Sequence, residues 1–125
     1  MSKKPSRILI VEDESDLSEI METVLEDEGY HVDVCVNGLE ALNFLSTSPE
    51  HPNLIILDIK MPVMDGRQFA QEYRKLYNHK VPIIVTTASD DARTRAAEIG
   101  VNNWLGKPFD IEKLIELVER IITPG

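Results

Sequence analysis

Side chains that could bind a metal ion and react with phosphate follow four apolar segments of this 125-residue chain. They are Glu12, Asp13, Asp58, Thr87 and Lys107. Three carboxylates in one crevice repel one another, so such a cluster requires a cation or raises the pKa of at least one member. Mg²⁺ is typically bound by one or two carboxylates, a carbonyl and water. The sequence therefore predicts a magnesium site, provided that the fold brings these residues together.

The same group of side chains suits phosphoryl transfer. A carboxylate beside Mg²⁺ can attack phosphorus and form an aspartyl phosphate. Lys107 would then neutralise the charge of the phosphoryl group, and the Thr87 hydroxyl would donate a hydrogen bond to one of its oxygens. Each residue alone is ordinary, because an Asp after a strand is usually a turn former. Their joint placement after four strands is what favours phosphoryl chemistry.

Apolar segments that alternate with helical patterns predict how these residues are positioned. The strand segments are residues 8–11, 31–36, 54–57, 81–85 and 104–105. Most of these runs are continuous, which is typical of parallel strands covered on both faces, whereas 31–36 alternates and suits a sheet edge. The order predicts an α/β fold: a doubly wound five-stranded parallel sheet of order 2-1-3-4-5, in a flavodoxin-like three-layer sandwich. Ligands of such sheets bind beyond the carboxyl ends of the strands.

Length and charge exclude several classes of protein. A chain of this length predicts a single domain spanning residues 1–125. Its net charge of −9 argues against a surface that follows nucleic-acid phosphates, so we expect no nucleic-acid partner. No apolar run reaches the length of a membrane span, and the single cysteine, Cys35, has no partner for an internal disulfide. We therefore expect a cytoplasmic protein with no membrane partner.

Four segments together resemble the receiver domain of two-component response regulators, of the single-domain chemotaxis type. They are Ile8–Glu14, Asp58–Gly66, Thr87-Ala88 and Lys107–Phe109. The second segment, DIKMPVMDG, is long and idiosyncratic, so the group of motifs is specific although a lone Lys-Pro pair would mean little. The resemblance extends over residues 7–123 and implies the same sheet.

The resemblance implies that Asp58 accepts a phosphoryl group from a phosphohistidine. The donor would be a sensor histidine kinase or a histidine phosphotransfer protein. Lys107 would contact the phosphoryl group, and Thr87 and the amide of Ala88 would close over it. The phosphorylated chain would signal by binding a downstream protein, whose identity the sequence does not indicate.

The resemblance also implies a set of ligands for Mg²⁺. Asp13 and Asp58 would bind the ion directly, and Glu12 would reach it mainly through water. The backbone carbonyl of Lys60, two residues after the nucleophile, would complete the protein ligands. In the family, the peptide bond before the residue that matches Pro108 is cis.

Two features depart from the family pattern. Trp104 matches an aromatic residue that turns inward when the domain is activated, but the family has Tyr or Phe there more often. The stretch between Thr87 and Lys107 is slightly shorter than in the family. This shortening predicts a reduced fourth-helix region, which belongs to the family's usual output surface.

Three alternatives remain beside a phosphorylated receiver. A degenerate receiver would bind partners without being phosphorylated. An aspartyl phosphatase of the haloacid dehalogenase type would need a second Asp at the position of Lys60, and a flavin-binding domain would need hydroxyl groups where residues 12–16 are mostly acidic. We therefore expect a phosphoacceptor signalling domain, not an enzyme, that assists its own phosphorylation and dephosphorylation.

Overall fold

Five strands alternate with five helices in the computed structural model, which describes residues 4–77, 81–88 and 90–122. The strands are β1 (Arg7–Val11), β2 (His31–Cys35), β3 (Leu54–Asp58), β4 (Ile83–Ala88) and β5 (Asn103–Lys107). The helices are α1 (Ser15–Asp27), α2 (Gly38–Thr47), α3 (Gly66–Tyr77), α4 (Ala92–Glu98) and α5 (Ile111–Ile122). All strand pairs are parallel, and the sheet order is β2-β1-β3-β4-β5. The predicted fold and strand order are confirmed.

The two faces of the sheet carry separate apolar layers. Successive side chains of a strand point to opposite faces, so Leu9 of β1 packs with α2 and α3 while Ile10 packs with α1 and α5. Phe69 and Tyr73 of α3 fill the first layer, and Leu114 of α5 fills the second. This arrangement is the predicted three-layer sandwich.

Burial along the strands follows their place in the sheet. Every residue of the central strand β3 is buried, whereas in β2 only Val32 and Cys35 are buried, as expected for an edge. Burial also raises the pKa of the Cys35 thiol to about 12, which keeps it protonated. Within the described part of the chain, no helix has the length and apolar character needed to span a membrane.

Two strands extend further than their apolar runs predicted. β4 begins after Pro82 and continues to Ala88, and β5 continues to Lys107. In both strands the polar residues at the end remain in register, with Thr87 opposite Gly106 and Ala88 opposite Lys107. Backbone pairing does not require apolar side chains, so hydrophobicity alone placed the strand ends too early.

The fourth helix is short. α4 has 7 residues, and among them only Ala92 and Ala96 are buried. Alanine side chains bury little apolar surface, so this helix gains less from packing than α1 or α5. A reduced fourth-helix region was predicted from the sequence, and the helix that is observed is the shortest of those described.

Candidate functional site

Three carboxylates meet at the carboxyl ends of β1 and β3. Glu12 and Asp13 directly follow β1, and Asp58 is the last residue of β3. One carboxylate oxygen from each residue lies within 4.8 Å of the others. Glu12 and Asp58 are buried, with 1% and 3% of their surface exposed, whereas Asp13 is exposed. The cluster is therefore open to solvent on one side, and its oxygens suit a hard divalent cation that keeps some of its water.

Lys107, at the end of β5, enters the cluster from the other side. Its Nζ lies 2.9 Å from Glu12 Oε1, 3.4 Å from Asp58 Oδ2 and 3.3 Å from Glu14 Oε1. Burial acts to lower the pKa of this ammonium, but the Glu12 hydrogen bond and the carboxylates of Asp58, Glu12 and Glu14 outweigh burial and raise it. One ammonium faces several carboxylates, so the site favours a further cation.

The environment of Asp58 favours its protonated form when no metal is bound. Burial and the nearby Glu12 carboxylate raise the pKa of Asp58 to about 7, and Lys107 opposes this shift. The backbone N–H of Lys60 donates to Asp58 Oδ1 at 3.4 Å, which is a long contact. Near neutral pH a proton and a divalent cation would therefore compete for this carboxylate.

A pocket of about 340 Å³ opens beside Asp58. It is lined by Glu14, Asp58, Lys60, Thr87, Ala88, Lys107 and Pro108. The Thr87 hydroxyl is buried and has no hydrogen-bond partner among the described residues, so a donor is available at the wall of the pocket. The Thr86 hydroxyl is also buried, but Thr86 does not line this pocket. The peptide bond between Lys107 and Pro108 is cis, as the resemblance implied.

The sheet register explains why these residues meet. β3, β4 and β5 are neighbours, and Asp58 is opposite Thr86 while Ala88 is opposite Lys107. The carboxyl ends of parallel strands lie at one edge, so every residue singled out there by the sequence is brought together. Lys60 lies at the same edge, where its Nζ is 3.6 Å from Asp91 at the start of α4. The role of its carbonyl as a metal ligand stays a prediction.

Glu14 belongs to the site, although sequence reasoning gave it no role. Its carboxylate contacts Lys107, and its backbone N–H donates to Glu12 Oε2 at 3.1 Å. The available signal was its place as the third acid in a row after β1. Trp104, by contrast, is 40% exposed on the edge strand β5 and is absent from the pocket lining, so its switching role also stays a prediction.

Gly66 is a second residue whose importance the sequence did not show. A Cβ at this position would collide with the Asp58 carbonyl oxygen and lie 2.9 Å from Ile59 Cα. The Gly66 N–H also donates to the Ile59 carbonyl at 2.9 Å. The first residue of α3 thus packs directly against the backbone that carries Asp58.

We therefore expect Gly66→Ala to displace Asp58 and weaken Mg²⁺ binding at least about tenfold, with a stability loss of about 1–3 kcal/mol from overpacking. Isothermal titration with Mg²⁺ and urea unfolding would measure the two effects. Gly29→Ala is the matched control, since that position has open space and φ of 99°, so only backbone strain is introduced. Unchanged Mg²⁺ affinity in Gly66→Ala would show that the close contact does not position the site.

Comparison with known proteins gives one consistent family. A model of the response regulator receiver domain matches residues 8–119. The transcriptional regulatory protein CpxR homolog of Haemophilus influenzae is 36% identical over 117 residues, which are 94% of this chain and 50% of that protein. The chain spans about half the length of the first curated relatives that it matches.

Solved structures agree with this result. The signal receiver domain of a signal transduction histidine kinase from Syntrophus aciditrophicus has a TM-score of 0.83 and 34% identity, covering 94% of this chain and 90% of that one. The response regulator TrrA from Thermotoga maritima, in complex with Mg²⁺-BeF, has a TM-score of 0.79 and 35% identity, covering 93% of this chain and 98% of that one.

Proposed function

Since this chain belongs to the receiver domain family of two-component response regulators, we propose that Asp58 is its phosphoacceptor. The observation that carries this assignment is the position of the Asp58 carboxylate. It lies in the acidic cluster, 3.4 Å from the Lys107 ammonium, and it lines the same pocket as the unpartnered Thr87 hydroxyl. A nucleophile, a charge-neutralising cation and a hydrogen-bond donor therefore face one space.

The proposed reaction transfers a phosphoryl group from a phosphohistidine. A carboxylate oxygen of Asp58 attacks phosphorus, the P–O bond forms, and the P–N bond to the donor imidazole breaks. Asp58 must be ionised to attack. Before transfer, the Lys107 ammonium contacts the Asp58 carboxylate. After transfer, it pairs with the phosphoryl oxygens, and the Thr87 hydroxyl and the Ala88 amide donate hydrogen bonds to them.

Glu12, Asp13 and Asp58, together with the Lys60 carbonyl, are the proposed ligands of Mg²⁺. The donor set supports this, because it consists of oxygens alone and carries more negative charge than Lys107 balances. The ion would neutralise charge on the phosphoryl oxygens during transfer. The Glu12 and Asp13 carboxylates lie beside the nucleophile, so removing either one is expected to slow phosphorylation.

Receiver domains are signalling domains, and we propose that this one accelerates its own phosphorylation and dephosphorylation. Its donor is a sensor histidine kinase or a histidine phosphotransfer protein, and its output is phosphorylation-dependent binding to another protein, not to nucleic acid. The exposed acids of α1 are Asp16, Glu19, Glu26 and Asp27. They lie on the helix that follows the site and favour a donor with a basic docking surface. We also propose that residues 1–125 act as one domain in the cytoplasm.

Intact-mass measurement after incubation with acetyl phosphate and Mg²⁺ tests the assignment. We expect the parent to gain one phosphoryl group and Asp58→Asn to gain none. Asp16→Asn, an exposed acid of α1, is the matched control and is expected to react like the parent. Phosphorylation of Asp58→Asn would place the acceptor elsewhere, and an unreactive parent would favour a receiver that binds partners without phosphorylation.

A further inference from the structure

A larger cavity lies between α4 and the segment that joins β3 to α3. Its volume is about 470 Å³, which is within the range of small-molecule sites. The apolar part of its wall is formed by Ile59, Met61 and Ile99. Ile59 and Ile99 are buried residues of which only a small part of the surface is exposed. None of Glu12, Asp13 and Asp58 lines it, so it is separate from the acidic cluster.

The charged side chains that line this cavity differ in whether they already have partners. Its two acids are both engaged, since Asp65 Oδ1 accepts the Gln68 N–H at 2.9 Å and Glu98 accepts Arg95 Nη1 at 3.1 Å. The cations that line it are Lys60, Arg67 and Arg95. Lys60 is paired with Asp91 at 3.6 Å. The lining thus carries three cations and two acids.

Two guanidinium groups line this cavity from different helices. The Nε of Arg95 is buried and has no hydrogen-bond partner among residues 4–77, 81–88 and 90–122. Arg67, across the cavity on α3, is exposed and makes no ion pair within that part of the chain. Both arginines line the cavity, Arg67 from α3 and Arg95 from α4, so an acidic group bound there would meet guanidinium donors from two helices.

We propose that this cavity binds a small organic anion. The flat apolar body of the ligand covers Ile59, Met61 and Ile99, and its acidic group is held by Arg67 and Arg95. A carboxylate and a phosphate satisfy the same donors, so both belong to the proposed class. The site goes beyond the proposed phosphoacceptor function, because its two arginines and its apolar wall take no part in that reaction, although Lys60 lines both pockets.

Adenosine 5′-monophosphate and 2-naphthoate are suitable probes, and adenosine and inorganic phosphate are controls that each lack one half of the first probe. The probes are titrated into the parent protein without Mg²⁺ or phosphodonor, and amide NMR shifts are followed. We expect saturable shifts at Ile59, Arg67 and Ile99 with a Kd below about 1 mM for at least one probe. Which probe binds identifies the acidic group as phosphate or carboxylate.

Variants decide whether the charges act as proposed. Arg67→Gln and Arg95→Gln are each expected to weaken binding by about tenfold or more. Arg93→Gln, an exposed arginine of α4 that does not line the cavity, is the matched control and should change binding by less than about twofold. Arg67 is on the surface, so its variant remains informative even where Arg95→Gln disturbs the short helix.

Three results would overturn the proposal. They are the absence of saturable shifts with both probes, equal weakening by Arg93→Gln, and equally tight binding of inorganic phosphate. The last result would show that the apolar wall contributes nothing. Because the assay contains no phosphodonor or metal, these results leave the mass measurement on Asp58 unaffected.

Discussion

Lys107→Met is expected to reduce the rate of Asp58 phosphorylation by acetyl phosphate about 10²-fold, because a positive charge aimed at the transferring group is lost. The Lys107 side chain is 18% exposed, and its Nζ contacts Glu12 and Asp58. Among the described residues, no other cation forms an ion pair with either carboxylate. The rate is measured by the growth of the phosphorylated mass at saturating Mg²⁺. A Met variant that reacts as fast as the parent would contradict the role of Lys107.

The same substitution should act in the opposite direction on metal affinity. Removing the ammonium leaves the site more negative, so Mg²⁺ is expected to bind several times more tightly. Without metal, the buried Glu12 and Asp58 lose their partner, and we expect a stability loss of about 2–4 kcal/mol, which proton uptake by Asp58 would limit. Opposite changes in rate and Mg²⁺ affinity distinguish a catalytic role of Lys107 from general damage.

Two controls are available for this experiment. Lys107→Arg keeps the charge and should retain part of the phosphorylation rate. Lys113→Met removes an exposed cation of α5 and should change neither the rate nor the affinity. If Lys113→Met slows phosphorylation as much as Lys107→Met, net charge and not local geometry would be responsible.

The sequence was sufficient to predict the sheet because its central strands are almost purely apolar. A continuous run such as residues 54–57 is stable only where both faces are covered, and the regular alternation with helices then requires parallel strands. Parallel strands place their carboxyl ends at one edge, so Asp58 and Lys107 could be assigned to one site from their positions after the strands.

The details that the sequence could not predict depend on packing between elements. The close contact of Gly66 with the Asp58 carbonyl depends on the path of the loop before α3. The closer approach of Lys107 to Glu12, at 2.9 Å, than to Asp58, at 3.4 Å, depends on how β5 lies beside β4. The cavity between α4 and the segment that joins β3 to α3 depends on how the short α4 lies on the sheet. None of these distances has a signature in residue type or spacing.

Asp58→Asn is expected to become more stable than the parent as the pH rises from about 4 to about 7 in metal-free buffer, by a final difference on the order of 3 kcal/mol. The pKa of Asp58 is raised from 3.8 to about 7 by burial and by the Glu12 carboxylate. In this window the folded parent binds a proton that the unfolded chain releases. The stability contributed by Asp58 is therefore fully present below pH 3.8 and is lost as the pH rises through 7.

Urea unfolding at a series of pH values, with a chelator present, measures this difference. Asparagine does not ionise, so its variant lacks this part of the pH dependence, whereas Asp16→Asn should keep it.

Saturating Mg²⁺ should restore the stability of the parent above pH 7, because binding to the folded state alone adds about 2.7 kcal/mol at a hundredfold excess over Kd. Asp58→Asn loses one metal ligand, so Mg²⁺ should add much less to its stability. If stability changed with pH in the same way for the parent and Asp58→Asn, the ionised Asp58 carboxylate would not be destabilising in the metal-free protein. The argument that a cation stabilises this carboxylate would then fail.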